Sequence, residues 1–150
     1  MLTAVELNLL KKHFEPDGSL RDVYIQGTIK KDWDNFIEYA KNLRYSYKVN
    51  NEEKELSLNL DSFWQQENQK LLSLYIGNIQ INCHFFGEEE IELDIDVRDF
   101  KRDQDYLDFV DFIKQIGTKL AKDVIVTGEN TQDYIILRYS CSKNSLHVQD

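Results

Sequence analysis

Proline occurs once and glycine six times in this chain of 150 residues. A collagen-like repeat, a flexible linker or a low-complexity tract needs far more of either, so these classes are excluded. Cysteine is also scarce. Cys83 and Cys141 are the whole complement, too few for a disulfide scaffold, and a cytoplasmic location is the expectation. No apolar run approaches the roughly 18 residues that span a bilayer. Met1 to Phe14 carries Glu6, Lys11 and Lys12 without a basic leader or a small-residue cleavage site, and reads as a helix rather than a secretory signal. Positive charge is in deficit, with 18 Lys and Arg against 27 Asp and Glu, a net charge of −9. Phosphates would be repelled, so neither a nucleic acid nor an anionic membrane is expected as partner. There is no glycine-rich phosphate loop and no G-x-S-x-G elbow. The three histidines, His13, His84 and His147, share no metal-ligand spacing.

What is present suits a packed core. Apolar residues make up 41% of the chain and aromatics 12%, and with no internal repeat or linker residues 1–150 read as one domain. Thr3 and Glu6 have capping-box spacing ahead of Val5, Leu9 and Leu10, which predicts a short helix ending near Phe14. Pro16-Asp17-Gly18 marks a turn. Leu20 to Thr28 predicts a strand with Val23 and Ile25 on one face and Asp22, Tyr24 and Gln26 on the other. Trp33, Phe36, Ile37, Ala40 and Leu43 fall at helical spacing within Asp32 to Leu43. Tyr45, Tyr47 and Val49, then Leu56, Leu58 and Leu60, alternate around the polar Asn50 to Lys54 and predict a hairpin. Asp61-Ser62 could cap a short helical turn carrying Phe63 and Trp64.

Three strands follow, through Leu72 to Ile76, Ile79 to Phe85 and Ile91 to Val97. Gly77-Asn78 reads equally as a tight turn or as a bulge within one long strand. The longest helix is expected from Asp103 to Lys122, with Gly117 inside it allowing a close approach. Val124–Thr127 and Tyr134–Tyr139 predict two last strands around a turn at Gly128 to Asp133, and the final ten residues read as frayed. Local strand pairing around three helices gives an α+β class: a two-layer sandwich, mostly antiparallel sheet with helices packed on one face.

The acidic residues are concentrated. Between residues 88 and 111 stand eleven of them, opposed only by Arg98, Lys101 and Arg102. Asp103, Asp105 and Asp108 begin a helix, where carboxylates suit the macrodipole. Glu90, Glu92, Asp94 and Asp96 instead share one strand face, roughly 7 Å apart. Apolar residues of this strand and its predecessor meet only when paired residue numbers have an even sum. A three-residue loop, Gly87 to Glu89, meets that condition and sets His84 opposite Glu92, Asn82 opposite Asp94 and Gln80 opposite Asp96. The result is a polar, acidic sheet face backed by helices on its other side.

This face admits three readings: a solvated surface, a docking surface for a basic protein partner, or a metal or acid/base site. The candidate partner-binding residues are Gln80, Asn82, His84, Glu90, Glu92, Asp94 and Asp96. An imidazolium at His84 would be favoured by Glu92 beside it. Cys83 alternates with Ile81 and Phe85 and reads as a core thiol. Trp33 and Trp64 read as core anchors.

Several segments carry a family resemblance. Gly18-Ser19-Leu20-Arg21-Asp22-Val23-Tyr24, Thr28 and Asp32-Trp33 resemble the opening of a group of small bacterial α/β proteins. So do Cys83-His84-Phe85-Phe86, the run Glu89 to Asp96, Phe112 to Gly117, and Thr127-Gly128-Glu129-Asn130. The likeness spans about residues 18–140. The group is small, cytoplasmic and often treated as uncharacterised or as immunity proteins of toxin systems. The resemblance implies the fold more than an activity; taken together with the acidic face, it gives the expectation of a non-enzymatic protein that neutralises a toxin by covering a basic surface. No catalytic residue, metal or cofactor is assigned. The alternatives are a metal-dependent hydrolase using His84, Glu92 and Asp94, and a structural or oligomer-forming protein.

Overall fold

The computed structural model describes residues 2–56 and 69–150. Helix α1, Ala4–His13, begins as its spacing predicts: the Glu6 amide donates to Thr3 Oγ1 at 3.1 Å and the Thr3 amide donates back to Glu6 Oε1 at 3.0 Å. Two of the orphan amides of a helix start are thereby satisfied. Strand β1, Arg21–Gln26, follows. Helix α2, Lys30–Lys41, starts two residues before the predicted Asp32, because the Asp32 carboxylate reaches back to the Ile29 amide at 2.9 Å. Strands β2, Arg44–Val49, and β3, Glu52–Lys54, meet through Asn50 and Asn51, both at positive φ. That is the backbone a two-residue hairpin of this twist requires, and asparagine tolerates it. Strand β3 thus falls inside Asn50 to Lys54, the stretch expected to be the loop, because the turn needs only two residues; the predicted strand beyond Leu56, and the turn bearing Phe63 and Trp64, lie outside the described residues.

Strands β4, Lys70–Ile76, and β5, Ile79–His84, are joined by Gly77-Asn78, with Ile76 paired to Ile79 and Gly77 at φ +57°. The two residues form a tight turn, not a bulge. Strand β6, Glu90–Ile95, leads through a 3₁₀ turn, Val97–Asp99, into α3, Asp103–Leu120. Helix α3 is launched by Asp105, whose buried carboxylate accepts the Lys101 and Arg102 amides, each at 2.9 Å, and the Arg102 guanidinium. Strands β7, Val124–Gly128, and β8, Thr131–Ser140, turn at Glu129-Asn130, a tighter turn than Gly128 to Asp133.

The tail corrects the expectation of fraying. Ser145–Val148 forms β9 against β8, with Leu146 opposite Tyr139 and Val148 opposite Leu137. Leu146, His147 and Val148 alternate in type, but alternation over a four-residue strand is too short a signal to see without its partner strand.

Among the described residues the nine strands form one sheet in the order β3-β2-β4-β5-β6-β1-β7-β8-β9, every neighbouring pair antiparallel. The α+β class is as expected. Val23, Ile25, Leu72, Leu74, Ile81, Cys83, Ile91, Leu93, Ile95, Val124 and Val126 are all fully buried, and they share one cluster with Leu10, Trp33, Phe36, Ile37, Phe109, Phe112 and Ile113 from the three helices. The strand residues between them point the other way. That second face is largely polar, as in an antiparallel sheet with its helices on a single side, yet Asp22, Tyr24, Ser73, Ile125 and Thr127 are buried on it as well.

Candidate functional site

The β5–β6 register is the one that parity predicts: His84 pairs with Glu92, Cys83 with Leu93, Asn82 with Asp94 and Ile81 with Ile95. Two details differ. The ladder stops at His84, so the loop runs over five residues, Phe85 to Glu89, rather than three. Thr28, just ahead of α2, and Trp33 in it hold this loop: the Glu88 carbonyl accepts the Trp33 indole N–H at 2.8 Å and the Thr28 hydroxyl at 2.6 Å, and the Glu89 carbonyl accepts the Thr28 amide at 3.1 Å. At its other end β6 stops at Ile95. Asp96 does not face Gln80. It caps the 3₁₀ turn by accepting the Arg98 amide and is gripped by the Arg98 guanidinium at 2.7 Å.

Glu90, Glu92 and Asp94 do share a face with Asn82 and His84, and the sheet order adds residues the sequence alone leaves far away. Strand β1 lies on the other side of β6, placing Asp22 opposite Asp94, Tyr24 opposite Glu92 and Gln26 opposite Glu90. Asp22 and Tyr24 are buried. The Tyr24 hydroxyl donates to Asp22 Oδ2 at 3.1 Å, and the Asn130 amide donates to the same oxygen at 2.7 Å from the β7–β8 turn. A register shift between Val126 and Gly128 lets that hairpin bend toward the face. Gln132 continues the cover by donating to Glu90 Oε1 at 2.8 Å and accepting from Gln26 at 3.1 Å.

On the β5 side Asp94 is held twice, by Asn82 Nδ2 on Oδ1 at 3.0 Å and by His84 Nε2 on Oδ2 at 2.5 Å. The histidine thus leans to the diagonal carboxylate, not to Glu92 directly across. Asn82 Oδ1 in turn accepts from Ser73 Oγ at 2.9 Å and from Gln80 Nε2 at 3.0 Å. Phe86 lies parallel to the His84 ring, centroids 5.2 Å apart, and is 75% exposed.

The electrostatics follow from this crowding. The hydrogen bond that His84 donates to Asp94 raises the His84 pKa above its ordinary value against the opposing effect of burial, and the charges of Asp94, Glu92 and Asp22 add to the rise. Burial raises Asp22 and Glu92 as well, with hydrogen-bond donors pulling each back. All three shifts favour the protonated side chains in the folded protein. A raised folded pKa at His84 means stabilisation that is complete below its unfolded value and lost as pH rises through the folded value. Wild-type stability in urea is therefore expected to decline on going from about pH 6 to about pH 9, and His84→Gln is expected to flatten that decline. An equally steep fall in the variant would show that His84 is not its source.

Three other acidic residues of the 88–111 window are neutralised locally. Arg98 holds Asp96, Arg102 holds Asp105, and Lys11 meets Asp103 at 2.5 Å. Among the described residues no Lys or Arg is ion-paired to Asp22, Glu90, Glu92 or Asp94. Nor, among those residues, does any group of three or more His, Cys, Asp or Glu side chains have the arrangement of a metal site. His84, Glu92 and Asp94 thus do not form the ligand set a metal-dependent hydrolase would need. Cys83 is fully buried, its thiol pushed up by burial, and both cysteines are free. No helix among the described residues is long and apolar enough to cross a membrane.

No protein-family model matches the chain, and neither does any curated protein sequence. Among solved structures it is similar to a chain in the crystal structure of the toxic C-terminal tip of CdiA from Pseudomonas aeruginosa in complex with immune protein. That match has 10% identity and a TM-score of 0.48, over 80% of this chain and 94% of the other.

Proposed function

We propose that this chain is a non-enzymatic protein-binding module whose acidic sheet face, built on Glu90, Glu92 and Asp94 with Asn82, His84 and Gln80 beside them, docks a cationic surface of another protein. The observation that carries the reading is the contrast just described. Asp96, Asp103 and Asp105 of the acidic window are each matched by a nearby arginine or lysine, whereas Glu90, Glu92 and Asp94, gathered on one sheet face, have no such cation among the described residues. Uncompensated charge of one sign on a sheet face speeds encounter with an opposite surface and rejects like-charged ones. Asp96, turned into its own cap by Arg98, contributes least. Phe86 supplies an exposed aromatic at the rim, the residue type that anchors interfaces. The finer part of the proposal is that the partner is a toxin and that docking covers its basic surface. It is supported by the resemblance of residues 18–140 to immunity proteins and by the charge of the face.

The test is calorimetric titration with the protein encoded by the neighbouring gene, repeated over a salt series. Affinity is expected to fall with salt. Glu90→Gln combined with Glu92→Gln, which keeps shape and hydrogen-bonding capacity, is expected to weaken binding about tenfold or more, and Phe86→Ala to cost about 1–2 kcal/mol. Unchanged affinity in the double variant would remove the acidic face from the mechanism.

A further inference from the structure

We infer that docking on this face is linked to one proton at His84, the face binding a cationic surface more tightly once that proton has left. The inference rests on the docking reading and adds its regulation. Its basis is the set of groups around the imidazole. On its own strand Gln80 and Asn82 are neutral, and β4 presents Leu71 and Ser73, opposite His84 and Asn82. From β6 come Glu92 and Asp94, and from β1 beyond it Asp22 and Tyr24. The loop adds Phe86, stacked on the ring, and the exposed Glu88 and Glu89.

Every charged group on the strand and loop next to the ring is anionic, Lys48 standing one strand further out on β2, opposite Leu71, so a protonated His84 is the single positive charge at the centre of the row. It cancels one carboxylate where a partner cation would bind. Losing that proton need not disturb the architecture. A neutral imidazole protonated on Nε2 still donates to Asp94 Oδ2, Asn82 still holds Oδ1, and Phe86 still stacks on the ring. Charge changes while shape persists. Histidine is the side chain whose charge ordinarily changes between about pH 5 and 8. The hydrogen bond to Asp94 and the surrounding carboxylates push His84 above its ordinary value.

An oligo-arginine peptide is a suitable probe because it does not itself titrate near neutrality. At constant low ionic strength its dissociation constant, read by fluorescence anisotropy, is expected to fall about 3–10-fold between about pH 6 and about pH 8.5, the scale of one added charge at a few ångströms in a screened interface. His84→Gln should bind with no such dependence. Asp94→Asn keeps the histidine but removes its carboxylate, so the dependence should persist with its midpoint moved to lower pH. Linkage demands the reciprocal effect: in wild type the His84 ring resonance should titrate at lower pH with peptide bound than without. Binding that is equal at both pH values, or a pH dependence that survives unaltered in His84→Gln, overturns the proton linkage and leaves the docking reading standing. A peptide that fails to bind at any pH in low salt overturns both.

Discussion

Replacing Trp33 by alanine is expected to cost about 3–5 kcal/mol of folding stability, the range for deleting a large aromatic from a packed core. Trp33 has no exposed surface. Its ring packs against Phe36 at 6.2 Å and stacks on Phe85 at 5.6 Å. The deletion removes more than apolar contact. The indole N–H donates to the Glu88 carbonyl at 2.8 Å, so alanine leaves that carbonyl short of a donor as well as opening a cavity. Trp33→Phe separates the two effects: it keeps most of the ring and loses the hydrogen bond, for an expected cost nearer 1–2 kcal/mol. Urea unfolding followed by fluorescence and circular dichroism measures both. A loss under about 1 kcal/mol for Trp33→Ala would show that the site collapses freely and that the loop does not depend on this anchor. Because that loop carries Phe86, both variants should also weaken partner binding.

Gly117→Ala is expected to destabilise the protein by about 1–3 kcal/mol, even though alanine is the better helix former by roughly 1 kcal/mol. A Cβ at Gly117 would stand 2.4 Å from Cδ2 and 2.5 Å from Cε2 of Tyr139, and 3.0 Å from the Lys122 carbonyl. The tyrosine ring is poorly placed to yield. It is 1% exposed, and its hydroxyl is tied to Thr118 Oγ1 and Asn144 Oδ1, each at 3.0 Å. Helix α3 must therefore lift from β8, or the Asn144 turn must shift. Pairing the change with Tyr139→Leu in a double-mutant cycle tests the cause, since a smaller side chain should absorb the new methyl and reduce the penalty. A stabilising Gly117→Ala would show that the helix and strand separate at little cost.

Local patterns were the legible ones. Thr3 and Glu6 announced a helix start and alternation placed most of the strands, whereas Gly77-Asn78 read equally as turn or bulge and the expected loop Asn50 to Lys54 holds both the two-residue turn and β3. Parity of apolar residues set the β5–β6 register through Ile81, Cys83, Leu93 and Ile95, because a slip of one residue would turn every one of them to the wrong face. The site was legible only in part. Glu90, Glu92, Asp94, Asn82 and His84 were readable as neighbours because they lie in one hairpin. Asp22 and Tyr24 were readable as polar-face residues of their own strand, with nothing to say which strand they would stand beside.

The chain's own order of residues decided where the three helices and most of the strands fall, which face of those strands is apolar, and that acidic charge collects on one hairpin; these follow from steric propensity and from periods of two or 3.6 residues. Only the assembled sheet decided that β1 enters between β6 and β7, that Asp22 and Tyr24 are buried against Glu92 and Asp94, that His84 reaches Asp94, and that Arg98 withdraws Asp96 from the row. Such pairings join residues about 70 to 100 positions apart or turn on side-chain geometry within an ångström. Their energies come from burial and hydrogen bonds that exist only after the chain has closed on itself.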